Sequence, residues 1–147
     1  MISVEPGYLS VVHARAREYC ARTGARLVPF GVDMPEAIET IAAAGRATGL
    51  EPDEVWCSAG SGVLARALAK AWPNARRRVV QVGRELSSQD VSGAEIFVHP
   101  LTFGSEAKSR APFPSDLHYD AKAWEICTAR KGPGRVLFWN VTGPARP

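Results

Sequence analysis

The turn Gly60-Ser61-Gly62 is the part of the sequence with the clearest capacity for chemistry. It joins an apolar segment typical of a buried strand, residues 54–58, to a segment with helical spacing that begins at Val63. The two glycines allow backbone N–H groups to approach an anion closely, and Ser61 adds a hydroxyl donor. Because the positive end of a helix dipole points to the same place, the sequence predicts a phosphate site here. The spacing matches neither a Walker A loop nor a complete G-x-G-x-x-G, so a purely structural turn is the alternative.

Histidine and cysteine side chains are the other candidates for chemistry. His99 follows a predicted strand and His118 precedes Tyr119, both places where a general base could act. We favour the interpretation that loop hydrogen bonds satisfy both histidines. We interpret Cys57, in the strand before the turn, as a small buried apolar residue. The three cysteines form no C-x-x-C pair, so we expect neither a disulfide framework nor a metal site.

Length and composition exclude several classes of protein. A chain of 147 residues, 46% hydrophobic and 22% charged, fits a single domain, 1–147, that needs no disulfide or metal. The net charge of +3 is too small for a dedicated nucleic-acid binder. No apolar run reaches the roughly 20 residues of a membrane span, and no secretion signal is recognisable. We therefore expect a cytoplasmic protein without a membrane partner. The longest charge run, residues 76–78, predicts a solvated corner.

Glycine and proline divide the chain into alternating helices and strands. Helical spacing predicts helices at residues 8–22, between the cap Asp33 and the stop Gly49, at 63–72 and at 119–130. Short apolar segments predict strands at residues 26–29, 54–58, 78–82, 94–98 and 135–141. This alternation is typical of an α/β fold, and we expect a Rossmann-like three-layer sandwich with a mostly parallel sheet of about five strands and helices on both faces. The loop 99–116 is long enough for an active-site or interface role.

Residues 56–64, Trp-Cys-Ser-Ala-Gly-Ser-Gly-Val-Leu, resemble the strand, turn and helix that hold the cofactor phosphate in fold-type II pyridoxal-phosphate enzymes. The resemblance is to the branch of aminocyclopropane-carboxylate deaminase, D-cysteine desulfhydrase and cysteine synthase-like proteins. Three further segments agree in order: Leu-Val-Pro-Phe-Gly at 27–31, Tyr-Asp-Ala-Lys-Ala at 119–123, and Val-Leu-Phe-Trp-Asn-Val-Thr-Gly at 136–143. The similarity extends over most of residues 25–143, although each of these segments is short.

The resemblance implies roles for individual residues. Gly60, Ser61 and Gly62 would donate hydrogen bonds to the phosphate of pyridoxal phosphate, and Thr142 would bond to the pyridine nitrogen. Tyr119 would lie near the substrate, which makes it the candidate catalytic residue. Lys122 accompanies Tyr119 in the same helix and does not match the Schiff-base lysine of the family.

The chain also departs from the family. The Schiff-base lysine belongs to an N-terminal half that precedes the region of resemblance, and none of the four lysines stands in its asparagine–lysine motif. The resemblance therefore implies a truncated or degenerate lyase- or deaminase-like domain that does not bind pyridoxal phosphate covalently. Such a domain would be inactive alone, or would act as a homo-oligomer or with a lysine-bearing partner chain.

Two other functions stay open. A non-catalytic interaction domain would use an exposed sheet edge and the loop 99–116 to contact another macromolecule. A nucleotide- or phosphoribosyl-phosphate-binding protein could use a similar turn, although no acidic pair follows a strand to arrange Mg²⁺ and ribose.

Overall fold

The chain divides into two compact units, Met1–Phe30 and Gly31–Pro147, and the computed structural model describes residues 9–141. The first unit contains helix α1 (Leu9–Thr23), which ends as predicted before a glycine. The second unit contains the sheet and the other helices. Among the described residues, no helix is long and apolar enough to cross a membrane.

A four-stranded parallel sheet forms the centre of the second unit. Its elements are α2 (Pro35–Ala47), β1 (Glu54–Ala59), α3 (Val63–Ala71), β2 (Arg76–Gln81), β3 (Glu95–Val98), α4 (Asp120–Arg130) and β4 (Val136–Trp139). The strands lie in the order β3-β2-β1-β4, and every neighbouring pair is parallel. The α/β fold with a parallel sheet that the sequence predicts is therefore confirmed.

The prediction of about five strands was wrong, because residues 26–29 do not form a strand. Leu27 and Val28 are exposed, and Pro29 has no N–H to donate to a ladder. A 3₁₀ turn at Phe30–Val32 follows immediately. The segment is apolar enough for a strand, but none of the strand ladders described for residues 9–141 includes it.

Side chains that alternate along the central strands pack against helices on opposite faces of the sheet. Val55 and Cys57 of β1 belong to a cluster that includes Leu68 of helix α3 and Trp72, the residue that directly follows this helix. Trp56 lies on the other face, in a second cluster with residues of α4. All six residues of β1 are buried, as expected for a strand covered on both faces.

Helix α2 begins one residue later than the sequence pattern predicts. Met34 occupies the cap position without a side-chain hydrogen bond, and Pro35 starts the helix. The carboxylate of Asp33, the predicted cap, instead forms an ion pair with Arg66 at 2.6 Å. A tertiary contact has therefore replaced the local capping bond.

Arg78 is buried, although the arginine run 76–78 predicts a solvated corner. Its guanidinium bonds Glu54 through Nη1 at 3.2 Å and Glu95 through Nε at 2.9 Å, and it also donates to the carbonyl of Arg130 at 2.6 Å. It lies over the ring of Trp56, 5.2 Å from the centroid. The side chains of Arg78 and Glu54 are only 8% and 4% exposed. The prediction was therefore wrong for this residue, because strand pairing brings carboxylates to it.

Removal of the Arg78 charge should destabilise the fold strongly, since it leaves Glu54 buried without its ion-pair partner. We expect Arg78→Met to lower the free energy of unfolding by about 3–5 kcal/mol. Arg77→Met, the same change at the neighbouring and more exposed position, should change the free energy of unfolding by no more than about 0.5 kcal/mol. Urea denaturation followed by circular dichroism measures both. Equal losses for the two variants would contradict the structural role of the Arg78–Glu54 pair.

Candidate functional site

The strand order has a topological switch point after β1. From β1 the chain passes through α3 to β2 on one side, whereas β4 on the other side is reached through α4. Helices α3 and α4 pack on opposite faces of the sheet. In open parallel sheets, ligands bind outside the carboxyl ends of the strands at such a reversal of strand order. The turn Gly60–Gly62 follows β1 directly and therefore lies at this switch point.

Gly62 has a backbone conformation that other residues rarely adopt. Its φ is +87°, and it immediately precedes the first residue of α3. A Cβ atom at this position would collide with the backbone carbonyl oxygen of Asp90. Glycine is thus required both by the torsion angle and by the close approach of the loop after β2.

Arg84 fixes the orientation of the peptide groups in the turn. Its Nε donates to the carbonyl oxygen of Gly60 at 3.2 Å, and its Nη2 donates to that of Ser61 at 3.3 Å. In a trans peptide the N–H points opposite to the C=O, so the N–H groups of Ser61 and Gly62 point away from Arg84. Neither N–H has a hydrogen-bond partner among residues 9–141. The turn therefore presents two adjacent amide donors.

The carboxylate of Asp90 keeps Arg84 in place. Its Oδ1 accepts a hydrogen bond from Arg84 Nη2 at 2.9 Å, and its Oδ2 accepts from the backbone N–H and the hydroxyl of Ser87, both at 2.8 Å. The Ser87 N–H, then its hydroxyl and then Arg84 lower the pKa of Asp90 to about 2, against a small opposing effect of burial. Asp90 is thus charged at neutral pH and balances the Arg84 guanidinium.

Tyr119, the candidate catalytic residue, lies against the turn. Its hydroxyl oxygen is 3.0 Å from the position that a Cβ atom on Gly60 would occupy. Burial, followed by the charges of Asp120 and Cys57, raises the pKa of Tyr119 to about 12, although a hydrogen bond from the Gly60 N–H acts in the opposite direction. At neutral pH the side chain is a phenol that can donate a hydrogen bond but is a poor general base.

Asp120 is a component of the site that sequence reasoning missed. It is fully buried, and it accepts hydrogen bonds from the Ser58 hydroxyl and from the backbone N–H of Val141 at 3.0 Å. Burial and then the charge of Asp120 raise the pKa of Cys57 to about 12. The interpretation of Cys57 as a small buried residue is confirmed, since it is 2% exposed. An aspartate in the first turn of a helix is common, so nothing local marked Asp120 as special.

The histidines are engaged in loop contacts. His99 accepts a hydrogen bond from the Leu101 N–H through Nδ1 at 3.1 Å, and its Nε2 lies 2.9 Å from a carboxylate oxygen of Glu125. His118 lies 3.8 Å from Glu106. For His99, the preferred interpretation of a satisfied loop histidine is therefore confirmed.

The structure does not bear on the prediction for Thr142, the residue expected to bond the pyridine nitrogen, because Thr142 lies outside the described residues. Within residues 9–141, no group of three or more histidine, cysteine, aspartate or glutamate side chains is placed to hold a metal ion.

Substitution of Gly62 tests whether the turn depends on its close contact with Asp90. Gly93 has a similar φ of +74° but has open space where a Cβ would lie. We expect Gly93→Ala to cost about 1–2 kcal/mol of unfolding free energy through backbone strain alone. Gly62→Ala should cost at least about 3 kcal/mol because the Asp90 backbone must also move. Thermal and urea unfolding of both variants provide the comparison, and equal costs would show that the turn is not packed as described.

The lowered pKa of Asp90 predicts a defined pH dependence of stability. A carboxylate whose folded-state pKa is about 2, below its ordinary 3.8, stabilises the fold above pH 4 and loses this contribution as the pH falls towards 2. Asp90→Asn should therefore be less stable than the natural chain at pH 6, and the difference should shrink between pH 4 and pH 2. Urea unfolding across this range measures it. A difference that stays constant down to pH 2 would contradict the assigned hydrogen bonds.

Comparison with known proteins adds no relative, because no protein-family model, curated protein or solved structure matches the chain. The resemblance to fold-type II pyridoxal-phosphate enzymes therefore stays a prediction. Two of the segments on which it rests, 56–64 and 119–123, meet at Gly60 and Tyr119.

Proposed function

We propose that the chain binds a phosphate monoester at Gly60, Ser61 and Gly62, and that pyridoxal phosphate is the ligand. The observation that carries this proposal is the orientation of the two peptide groups held by Arg84. Both carbonyls are bonded to the guanidinium, so the N–H groups of Ser61 and Gly62 are aligned on the opposite side. Successive N–H groups arranged in this way form a concavity suited to anions.

The position of the turn in the fold supports a ligand site. It lies at the carboxyl end of β1. In the order β3-β2-β1-β4, the chain continues from β1 to β2 on one side and returns later to β4 on the other side. Helix α3 begins at Val63 with its N–H groups and the positive end of its dipole directed to the same end of the sheet. These features favour a Rossmann-like three-layer domain of the type that binds phosphorylated cofactors.

The residues at the turn fit the phosphate of pyridoxal phosphate. Ser61 and Gly62 supply backbone donors, the Ser61 side chain supplies a hydroxyl, and the neutral phenol of Tyr119 supplies a further donor beside Gly60. When bound, the cofactor supplies an electron sink for reactions of amino compounds. The chain's own contribution is to bind and orient the phosphate.

Catalysis by this domain requires a lysine from elsewhere. None of its four lysines stands in the motif that the family uses, and burial of Cys57 makes that thiol a poor nucleophile. We infer a domain that is completed by a lysine-bearing partner chain or that persists as a non-catalytic relative. Phosphate binding at the turn is common to both cases.

Titration of the full chain with pyridoxal phosphate and with pyridoxal, which lacks the phosphate, tests the proposal. We expect pyridoxal phosphate to shift the backbone amide NMR signals of Ser61 and Gly62 and pyridoxal to leave them unchanged. Ser61→Asp should weaken binding at least about tenfold through like-charge repulsion. Ser10→Asp, the same change at an exposed position of α1, should leave the affinity unaltered. Equal responses to the two compounds would overturn phosphate recognition.

A nucleotide is the second candidate ligand, and the strand order favours it. The order β3-β2-β1-β4 is that of the first four strands of dinucleotide-binding sheets. Adenosine monophosphate in the same titration discriminates the two ligands, because tighter binding of the nucleotide would replace pyridoxal phosphate in the proposal.

If neither ester shifts the Ser61 and Gly62 amides, a protein-interaction role takes precedence, with β3 exposed at the edge of the described sheet.

A further inference from the structure

Strand β4 is an edge of the described sheet, and its outer side has no backbone partner there. The carbonyl oxygen of Arg135 accepts a hydrogen bond from the Glu54 N–H at 3.2 Å, so it points to β1. Peptide groups alternate in direction along an extended chain, so those of Val136 and Phe138 point away from β1. Within residues 9–141, β1 is the strand that pairs with β4, and no loop or side chain bonds to these outward peptide groups.

The composition of β4 leaves this edge unprotected. Residues 136–141 include no charged residue and no proline, the features that keep a sheet edge from pairing with another chain. The strand itself, Val136–Trp139, is wholly apolar and half-buried. The other edge strand, β3, begins instead with a charged residue, Glu95, whose carboxylate is bonded by Arg78. Of the two edges of the described sheet, β4 is therefore the less protected.

A second copy of β4 fits this edge when it runs antiparallel with Leu137 opposite Leu137. The outward peptide groups of Val136 then face those of Phe138 in the second copy, and each such pair exchanges both of its N–H···O bonds. All of the bonded residues lie within β4. Phe138 opposite itself would instead need bonds to Asn140, which lies beyond the end of β4 and whose side chain donates to the carbonyl of Pro114.

The side chains that this register brings together are complementary. Val136 and Phe138 pack on one face of the sheet, and Leu137 and Trp139 pack on the other. A β-branched residue therefore lies opposite an aromatic ring of the second copy, which is a favourable cross-strand pair. On the other face, Arg135 lies opposite Trp139 of the second copy, so no two like charges are opposed.

An apolar groove adjoins the same edge. It has a volume of about 290 Å³, and its walls include Leu50, Pro52 and Leu137. Leu50 is 50% exposed. Because Leu137 lies at the two-fold axis of this pairing, the grooves of the two copies meet there. Pairing would thus cover exposed apolar surface as well as satisfy backbone groups.

We propose that β4 is a dimer interface, at which it pairs antiparallel with β4 of a second copy of this chain. The contact is isologous, so the same residues serve both copies, and the two parallel sheets continue into one another across the two-fold axis. The interface uses none of the residues Gly60–Gly62 and does not depend on phosphate binding by that turn.

Sedimentation velocity of the full chain over a concentration series tests the dimer. We expect a monomer–dimer equilibrium with a dissociation constant in the micromolar range, as for other small interfaces. A chain that stays monomeric throughout the series would overturn the proposal. A monomer in which the Val136 and Phe138 amides are nonetheless protected from hydrogen exchange would assign the edge to another segment of the chain. That result would overturn the proposal as well.

The substitution Val136→Pro removes an N–H that points away from β1, and by symmetry it removes a bond on each side of the two-fold axis. We expect the dimer to weaken about 10- to 100-fold. The matched control is Ile96→Pro, since the same alternation, followed from β1 through β2, directs the Ile96 N–H out of the opposite edge. It should leave dimerisation unaltered, with folding of both variants checked by circular dichroism. Equal effects of the two substitutions would contradict the assignment of the interface to β4.

Cysteine cross-linking tests the register without a proline in the strand. The background variant Cys20→Ser removes the one cysteine of the described residues that is not buried. In it, Leu137→Cys should form an intermolecular disulfide, because two directly opposed residues of a non-hydrogen-bonded pair bring their Cβ atoms within reach. Val136→Cys is offset from its equivalent in the second copy and should not cross-link. Faster cross-linking of Val136→Cys or Phe138→Cys than of Leu137→Cys would overturn the proposed pairing.

Discussion

The buried carboxylate of Asp120 is the constraint on which the carboxyl edge of the sheet depends. A carboxylate removed from water must receive hydrogen bonds inside the protein, and Asp120 receives them from the Ser58 hydroxyl and the Val141 N–H. These donors belong to the end of β1 and to the chain after β4, while Asp120 itself begins α4. Only the observed strand order brings all three together. The same contact positions Tyr119, one residue before Asp120, beside Gly60, two residues after Ser58.

The opposite end of β1 carries a second buried polar contact, which complements the first. Glu54 and Arg78 pair where β1 and β2 begin, whereas Ser58 lies near the end of β1, and the side chains between them are apolar. A shift of the strand by one residue would move each side chain to the other face of the sheet. It would separate Glu54 from its arginine and Ser58 from Asp120 at once. Polar groups at both ends thus define the register, and apolar groups between them provide the burial.

Local sequence patterns predicted the elements better than their contacts. The apolar runs of β1 and β2 and the helical spacing after Val63 depend on neighbours in sequence, and the structure contains the elements they predict. The segment 26–29 has the same local character, but strand formation also needs a partner that composition does not encode. Arg78 illustrates the converse, because a charge run normally marks a surface, and the carboxylates of Glu54 and Glu95, 24 and 17 residues away, explain its burial.

The candidate site shows the same division between local and distant information. The glycine turn is visible in the sequence because a torsion angle and a close approach demand glycine. Arg84 and Asp120 are not visible, since each acts through groups that the fold brings to it. Arg84, for example, contacts carbonyls 23 and 24 residues before it. A resemblance to a family named Tyr119, but it did not name the arginine that orients the turn.

Two cations lie at the carboxyl edge of the sheet, and the protein compensates them differently. The charge of Arg84 is balanced by Asp90, so an anion at the turn is attracted mainly by N–H dipoles and by the start of α3, which contribute about 0.3–1 kcal/mol at exposed sites. Lys122 is 1% exposed, and its Nζ donates to the carbonyl oxygens of Thr102 and Phe103. A carboxylate therefore compensates the charge of Arg84, whereas the dipoles of backbone carbonyls stabilise the ammonium of Lys122.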